Sequence, residues 1–348
     1  IQPLLRDAGS ELNRLPIKRA RLQEKSNVLQ LKSSVINTIT DVIRSYRGLV
    51  QSQQQLIIAE NALEDTKQRL EDINILIEFG REARVEAVPF QREIARGELA
   101  VLNAQSSLES QKLNLIDILD LERDLEVVAE DILEVENPEL NLEEITEIAL
   151  SNQPSYLQAQ INIQTAEFDL LQAENALRWR LDLDASYNNA ISTLNETTGG
   201  FRAGVSLSQE FGDLKQRKLD LKQSQIGLVQ AQNNLLEERQ NLEISVANAV
   251  RDVKLSLEEV ELARLATELA EQQLQIERDK LELGAQNASS NDVVEAQERL
   301  VDARNAELAA NIGYLNSLTN LWQTLGTTLD ELGIEFDDGL AEVNFEED

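Results

Sequence analysis

Two carboxylates three residues apart, Asp292 and Glu295 in "SNDVVEAQERL", are the side chains of this sequence best placed to act together. At that spacing they share one helix face, where they could attract a cation or simply support a helix start from its first turn. Asn291, just before them, is a good cap. Little chemistry beyond charge attraction is on offer. The chain has no histidine and no cysteine, so it lacks the commonest general base, the thiol nucleophile and thiolate metal ligands. Acid–base work would fall to carboxylates, lysine or tyrosine, and no cluster of these asks for it. The sequence names no catalytic residue and no cofactor, and an enzyme is not expected.

The elements that position those carboxylates follow from composition. A length of 348 residues suggests two or three compact domains, but the mixture is rich in Ala, Leu, Glu, Gln, Asn and Arg, with five prolines and fourteen glycines. That favours long helices and coiled coils over a layered core. Lys plus Arg is 32 against 63 for Asp plus Glu, a formal charge of −31. So acidic a surface would repel phosphates and argues against nucleic acid as a partner. It suits a cation-friendly conduit or a soluble acidic face. No run of eighteen apolar residues could form a transmembrane helix, which says nothing against barrel strands. With Ile at position 1 and no methionine, the chain reads as a processed or truncated piece.

From 15 to 79 apolar residues recur every seven, one seam running through Leu22, Leu29, Ile36, Ile43, Val50 and Ile57. A second runs through Leu49, Leu56, Leu63, Leu70 and Ile77. A period of 3.5 means left-handed supercoiling, and two seams mean partners on two sides, as in a wall of helices. Such a helix would span on the order of 100 Å; a solvated rod is compatible with the same seams. The chain breaks at Phe79-Gly80, turns through 80–88, and resumes as a helix over 89–121 with Pro89 at its first position. An acidic, irregular segment covers 122–140. After a short helix near Leu142–Leu150, Ser151 or Asn152 reads as the cap of a helix over 154–177.

The period then changes to two. "LDLDASYNNAI" and "FRAGVSLSQEF", joined by "STLNETTGG", alternate apolar with polar residues and predict a β-hairpin over 181–211. An isolated hairpin is marginal in water, so it packs on a cap or joins strands of other copies. Seams return in a long helix over 214–283, with Leu255, Leu262, Leu269, Ile276 and Leu283 beside Val253, Val260, Leu274 and Leu281. A turn at 284–291, a helix over 292–325 and an acidic tail over 326–348 complete the chain.

Gly80 and Gly284 lie 204 positions apart, and at that offset Ala59 meets Ala263, Ala62 meets Ala266 and Leu70 meets Leu274. The chain therefore reads as two repeats, 1–140 and 141–348. Carried back by 204, the β-hairpin falls almost wholly before residue 1, which makes "IQPLLRDAG" the end of a strand. Some fifty residues are then expected ahead of it.

The order helix, β-hairpin, long helix, tip, shorter helix, irregular segment, stated twice, resembles the TolC-like outer-membrane efflux protein family. The resemblance covers nearly the whole chain. It rests most on "ALSNQPSYLQAQINIQTAEFDLLQAENAL", the strand after it, and "LGAQNASSNDVVEAQERLVDARNAEL". It implies a mainly α protein whose coiled-coil hairpins form a tunnel in the periplasm, and whose β-hairpins join those of two other copies in one outer-membrane β-barrel. It implies a passive homotrimer for efflux or type I secretion, set in outer-membrane lipid of a Gram-negative-type bacterium. The partners implied are a periplasmic adaptor (membrane fusion) protein and an inner-membrane pump, ABC-type or proton-driven.

Under the same resemblance Asp292 and Glu295 become gate and selectivity candidates, six carboxylates around the mouth of a trimer. Glu stands where the best-known members have a second Asp, and the loop from Gly284 is two residues longer. The first tip has Val88 at the position matching Asp292, with Arg81, Glu82, Arg84 and Glu86 nearby, so no gate pair is assigned there. Phe79, Gly80 and Arg81, with Leu283, Gly284 and Ala285, are the adaptor-docking candidates; each glycine reads equally well as an ordinary helix stop. Trp179 stands where the family often has proline. Flanked by Arg178 and Arg180, it suits a membrane interface, or else caps the end of the helix bundle. The alternative for the whole chain is a soluble or periplasmic coiled-coil scaffold or adaptor. An adaptor would carry one hairpin between small β-domains, where this chain has two hairpins with strands between them.

Overall fold

The computed structural model describes residues 1–130, 140–191, 197–209, 212–283, 285 and 289–336. The protein is mainly helical. Strand β1 (Gln2–Pro3) precedes helix α1 (Ser10–Glu78); a single 3-10 turn (Arg84–Glu86) leads into α2 (Ala87–Ile118). Helices α3 (Leu142–Asn152) and α4 (Pro154–Ala176), strands β2 (Arg180–Ile191) and β3 (Thr197–Ser208), then α5 (Leu214–Glu282), α6 (Ser290–Leu325) and α7 (Thr328–Glu331) follow.

Element ends differ from the sequence reading for local reasons. Helix α1 begins at Ser10 and runs through Pro16, which leaves only one carbonyl of its opening turns without a donor. Pro89 is the third residue of α2, still in the turn whose N–H groups have no intrahelical acceptor. Pro154 opens α4, but the cap position is Gln153. Ser151 and Asn152 belong to α3 instead, their side chains donating back to the Glu147 and Ile148 carbonyls at 2.9 Å each. In the tail, α7 occupies a stretch expected to be irregular.

Two compact units form, each drawing on both halves of the sequence. The first is built chiefly from Ile1–Ser34 and Thr146–Ser245. It holds an antiparallel sheet in the order β1-β2-β3. The register pairs Leu181 with Leu207, Leu183 with Val205 and Tyr187 with Phe201; the intervening pairs include Asp182 with Ser206 and Ser186 with Arg202. Since side chains alternate between faces, one face is apolar and the other polar. On the apolar face Leu183, Tyr187, Phe201, Val205 and Leu207 are exposed.

The residues read from the repeat as a strand end lie against this sheet. Leu4 N–H donates to the Leu181 carbonyl at 2.7 Å and Arg6 N–H to that of Trp179 at 3.1 Å. Asp7, at φ 62°, exchanges two hydrogen bonds with the buried amide of Asn175 (2.7 and 3.1 Å). Arg19 pairs with Asp169 and donates to Gln172 at 3.1 Å, while Ser26 donates to Gln158 at 2.7 Å. These contacts join the start of α1 to α4.

The second unit comprises Val35–Ile145 and Val246–Gly333. On α5 one strict heptad row, Val246, Val253, Val260, Thr267 and Leu274, is at most 9% exposed. A second row, Leu255, Leu262, Leu269, Ile276 and Leu283, is at least 48% exposed. Toward one end, Leu49, Val50, Leu115 and Ala129 form a small core with Tyr46, Leu108 and Val127 packed on it. The acidic segment is held there by Gln53, which both donates to and accepts from the Ala129 backbone at 3.2 Å. The Tyr46 hydroxyl adds a bond to the Glu130 carbonyl at 2.7 Å. Residues 131–139 of that segment lie outside the described part. Arg47 spans from α1 to α6, donating to the Leu315 carbonyl (2.7 Å), Asn316 Oδ1 (3.1 Å) and Thr319 Oγ1 (2.7 Å). Burial, and then the charge of Arg44, pull its pKa down to about 10.

Candidate functional site

Both helix tips lie in the second unit. At the first, α1 ends in a paired hydrogen-bond motif. Gly80 N–H donates to the Ile77 carbonyl at 3.0 Å and Arg81 N–H to that of Leu76 at 2.9 Å. Gly80 sits at φ 70°, the left-handed region this motif requires and glycine tolerates best. At the second tip Ala285 N–H donates to the Lys280 carbonyl at 3.1 Å, the same bond displaced by 204 positions. Gly284 lies outside the described residues, as do 286–288. Each tip presents a large apolar side chain just before its glycine, Phe79 at 78% and Leu283 at 85% exposed.

The helix restarts are joined to one another. Ser289 caps α6, its hydroxyl accepting from Asn291 N–H at 3.1 Å. Asn291, expected to cap, is thus inside the first turn, because the helix begins two residues earlier than its spacing suggested. From the first tip, the Glu86 carboxylate accepts from Ser290 N–H at 3.2 Å. The helix N-terminus therefore has two oxygen acceptors from different stretches of chain. Behind these turns Phe90, Val293, Val294, Ala296 and Leu300 pack with Ile73, Ala87 and Leu274 in one apolar cluster. Pro89 and Phe90 are buried, as are Val293 and Val294, 204 positions on; Val88 is exposed, like Asp292.

Asp292 and Glu295 share the exposed face of α6. Glu295 does not stand as a bare charge, for Arg299 Nη2 reaches its Oε1 at 2.6 Å. Sequence reasoning passed over this pair, though Glu and Arg four apart is a readable helix signal. No ion pair of Asp292 is found among the described residues. Its carboxylate stands in the first turn, where the helix dipole favours it. In the first unit Trp179 is half exposed and lines a shallow groove with Leu4, Leu5 and Leu207. Among the described residues no group of three or more carboxylates could hold a metal, and no helix is long and apolar enough to cross a membrane.

Residues 145–327, just over half of the chain, match the family described as outer membrane efflux protein. The chain belongs to that family. No curated protein matches the sequence. Among solved structures, the outer-membrane channel OprN is 17% identical, with a TM-score of 0.74 over 92% of this chain and 73% of that one. The open state of the Neisseria gonorrhoeae MtrE outer-membrane channel is 16% identical, with a TM-score of 0.73 over 94% and 74%. The outer-membrane protein VceC of Vibrio cholerae is 16% identical, with a TM-score of 0.69 over 90% and 75%. At such identities the likeness is one of fold. The TolC-like resemblance and the mainly α class hold: the family is one of outer-membrane efflux proteins, transport proteins and not enzymes, and the fold is the one seen in outer-membrane channels.

Proposed function

We propose that three copies of this chain assemble into one passive efflux conduit, with the sheet in the outer membrane and most of the helical mass in the periplasm. The observation that carries this reading is the second heptad row of α5. Leu255, Leu262, Leu269, Ile276 and Leu283 repeat every seven residues yet stay exposed in the single chain. Scattered apolar residues on a surface are ordinary; a strict heptad row is a seam awaiting a helix. A second copy supplies one.

The sheet supports the same assembly. Its apolar face suits lipid and its polar face a wet lumen. Among the described residues β3 has no partner beyond β2, an open edge that strands of a neighbouring copy would cover. Trp179 takes the membrane-interface position. The two repeats supply equivalent tips, and these form the periplasmic mouth. Phe79, Gly80 and Arg81 with Leu283, Gly284 and Ala285 dock a periplasmic adaptor, which links the channel to an ABC or proton-driven pump in the inner membrane. Asp292 and Glu295 line the mouth; with Arg299 offsetting Glu295, Asp292 carries most of the net field there. Drug efflux and type I protein secretion are both uses such a conduit serves.

Light scattering of the full chain in detergent, followed by planar-bilayer recording, tests the proposal. A trimer with cation-selective conductance is expected. A monodisperse monomer, or a trimer that does not conduct, overturns it.

A further inference from the structure

Beyond the first tip, α2 carries Glu93, whose Oε2 is sealed from solvent and makes no hydrogen bond. Arg96 Nη1 lies 3.6 Å from that oxygen and donates to Glu298 Oε1 on α6 at 2.8 Å. The three side chains line a cleft of about 620 Å³ between α1, α2 and α6. Asp302 is the other charged residue lining it, and α1 contributes only uncharged groups such as Ala59, Ala62, Leu63 and Thr66. Nearby Gln297 is buried and donates to the Ala62 carbonyl at 3.1 Å, so α6 is held on α1 beside the cluster.

A sealed carboxylate oxygen with no donor, set against a second carboxylate, is a costly arrangement. One proton removes the cost, since a protonated carboxyl can donate to its neighbour. Burial first, then the neighbouring Glu298 carboxylate, holds the Glu93 carboxyl above the usual carboxylate range; Arg96 and Arg92 oppose this without reversing it.

We propose that Glu93, Glu298 and Arg96 form a proton-dependent brace that ties α2 to α6 near the tips. With its proton, Glu93 donates to the Glu298 carboxylate that Arg96 also holds, and the cluster is neutral. When the proton leaves for water, a second negative charge stands beside the Glu298–Arg96 pair and the sealed oxygen is orphaned. Helices α2 and α6 belong to different hairpins, so the brace sets how firmly one hairpin holds the other. A role in opening the tips rests on the channel reading above; the brace itself does not.

The sign follows from linkage. A carboxyl that titrates higher in the folded than in the unfolded chain contributes stability fully below the ordinary 4.5. That contribution fades as pH climbs from there to the folded titration.

Hydrogen exchange of the full chain in detergent, corrected for intrinsic chemical rates, reads the brace directly in residues 87–100 and 290–305. Protection should fall with rising pH, by about tenfold for each pH unit separating the two titrations. Glu93→Gln, a neutral isostere, should keep the protection and abolish its pH dependence. Glu298→Gln should move the dependence down toward ordinary carboxylate pH. Protection in these helices that does not vary with pH, or that varies identically in wild type and Glu93→Gln, overturns the proposal. Because exchange is read on the helices, either outcome is independent of whether the protein conducts.

Discussion

The carboxylate of Glu86 accepts a hydrogen bond from the backbone N–H of Ser290, across 204 positions of sequence, at 3.2 Å. One tip thereby caps the helix that leaves the other, and does so with a negative charge at the positive end of the dipole. The side-chain acceptor within the second tip, Ser289, serves Asn291 N–H, so the two caps satisfy different donors. The geometry makes the tips a fastened pair at this point, backed by the shared apolar cluster around Phe90 and Val293.

Replacing Glu86 with Ala should therefore loosen the start of α6 by about 1 kcal/mol, the usual worth of a cap. Glu86→Gln keeps an acceptor but loses the charge, and should lie between the two. Amide exchange at residues 290–293 measures it. Exchange in Glu86→Ala equal to wild type would show that the bond contributes nothing there.

At the candidate gate the question is how much charge Glu295 keeps. Paired with Arg299 at 2.6 Å and exposed, it gains little stability from the pair, a few tenths of a kcal/mol for such i,i+4 contacts. Its electrostatic reach is what the pair reduces. Arg299→Gln should raise cation selectivity, while Asp292→Asn should lower it and Glu295→Gln should lower it too, by leaving the Arg299 charge unopposed at the mouth. Reversal potentials in a salt gradient order the three. Equal potentials throughout would return Asp292 to plain helix support.

How far the sequence reached depends on the kind of information involved. Heptad rows, the switch to period two over 181–191 and the stop at Gly80 are written in local residue order, and they marked the helices, the strands and the turn. The caps depend on competition between neighbours. Asn152 looked free to cap α4 but bonds back to Ile148, and Asn291 was displaced by Ser289 two residues before it. Glu86 with Ser290, Arg96 with Glu298 and Arg47 with Thr319 join residues more than two hundred positions apart. Nothing in one sequence couples such pairs. The Glu295–Arg299 pair was legible and was passed over.

Phe79 and Leu283 are among the most exposed large apolar residues of the protein, and neither can contribute much to its stability. Phe79→Asp and Leu283→Asp should each change stability by no more than a neutral surface substitution does, roughly 0.5 kcal/mol. Either should impair drug export in cells lacking their own channel, and the two together should abolish it. The check pairs a thermal melt with a drug-susceptibility assay. A double variant that exports normally would remove the tips from adaptor docking.

The two heptad rows of α5 make opposite predictions, which separates packing within the chain from assembly between chains. Leu274 belongs to the buried row and to the cluster behind the tips; Leu274→Ala leaves a cavity and should cost about 2–5 kcal/mol. Leu262 and Leu269 belong to the exposed row. Both stay more than half exposed in the single chain, so changing them to Lys disturbs little of its packing, and lysine is a good helix former. The helical content of that variant should survive, but its charges would meet a neighbouring copy in the seam, where unpaired charge is strongly disfavoured. Light scattering should then report a lone chain, with circular dichroism unchanged. Stability and assembly are linked by mass action in any oligomer, so both must be read at the same protein concentration. If Leu262→Lys with Leu269→Lys still forms a trimer, the copies meet elsewhere and the exposed row must be covered by a different partner.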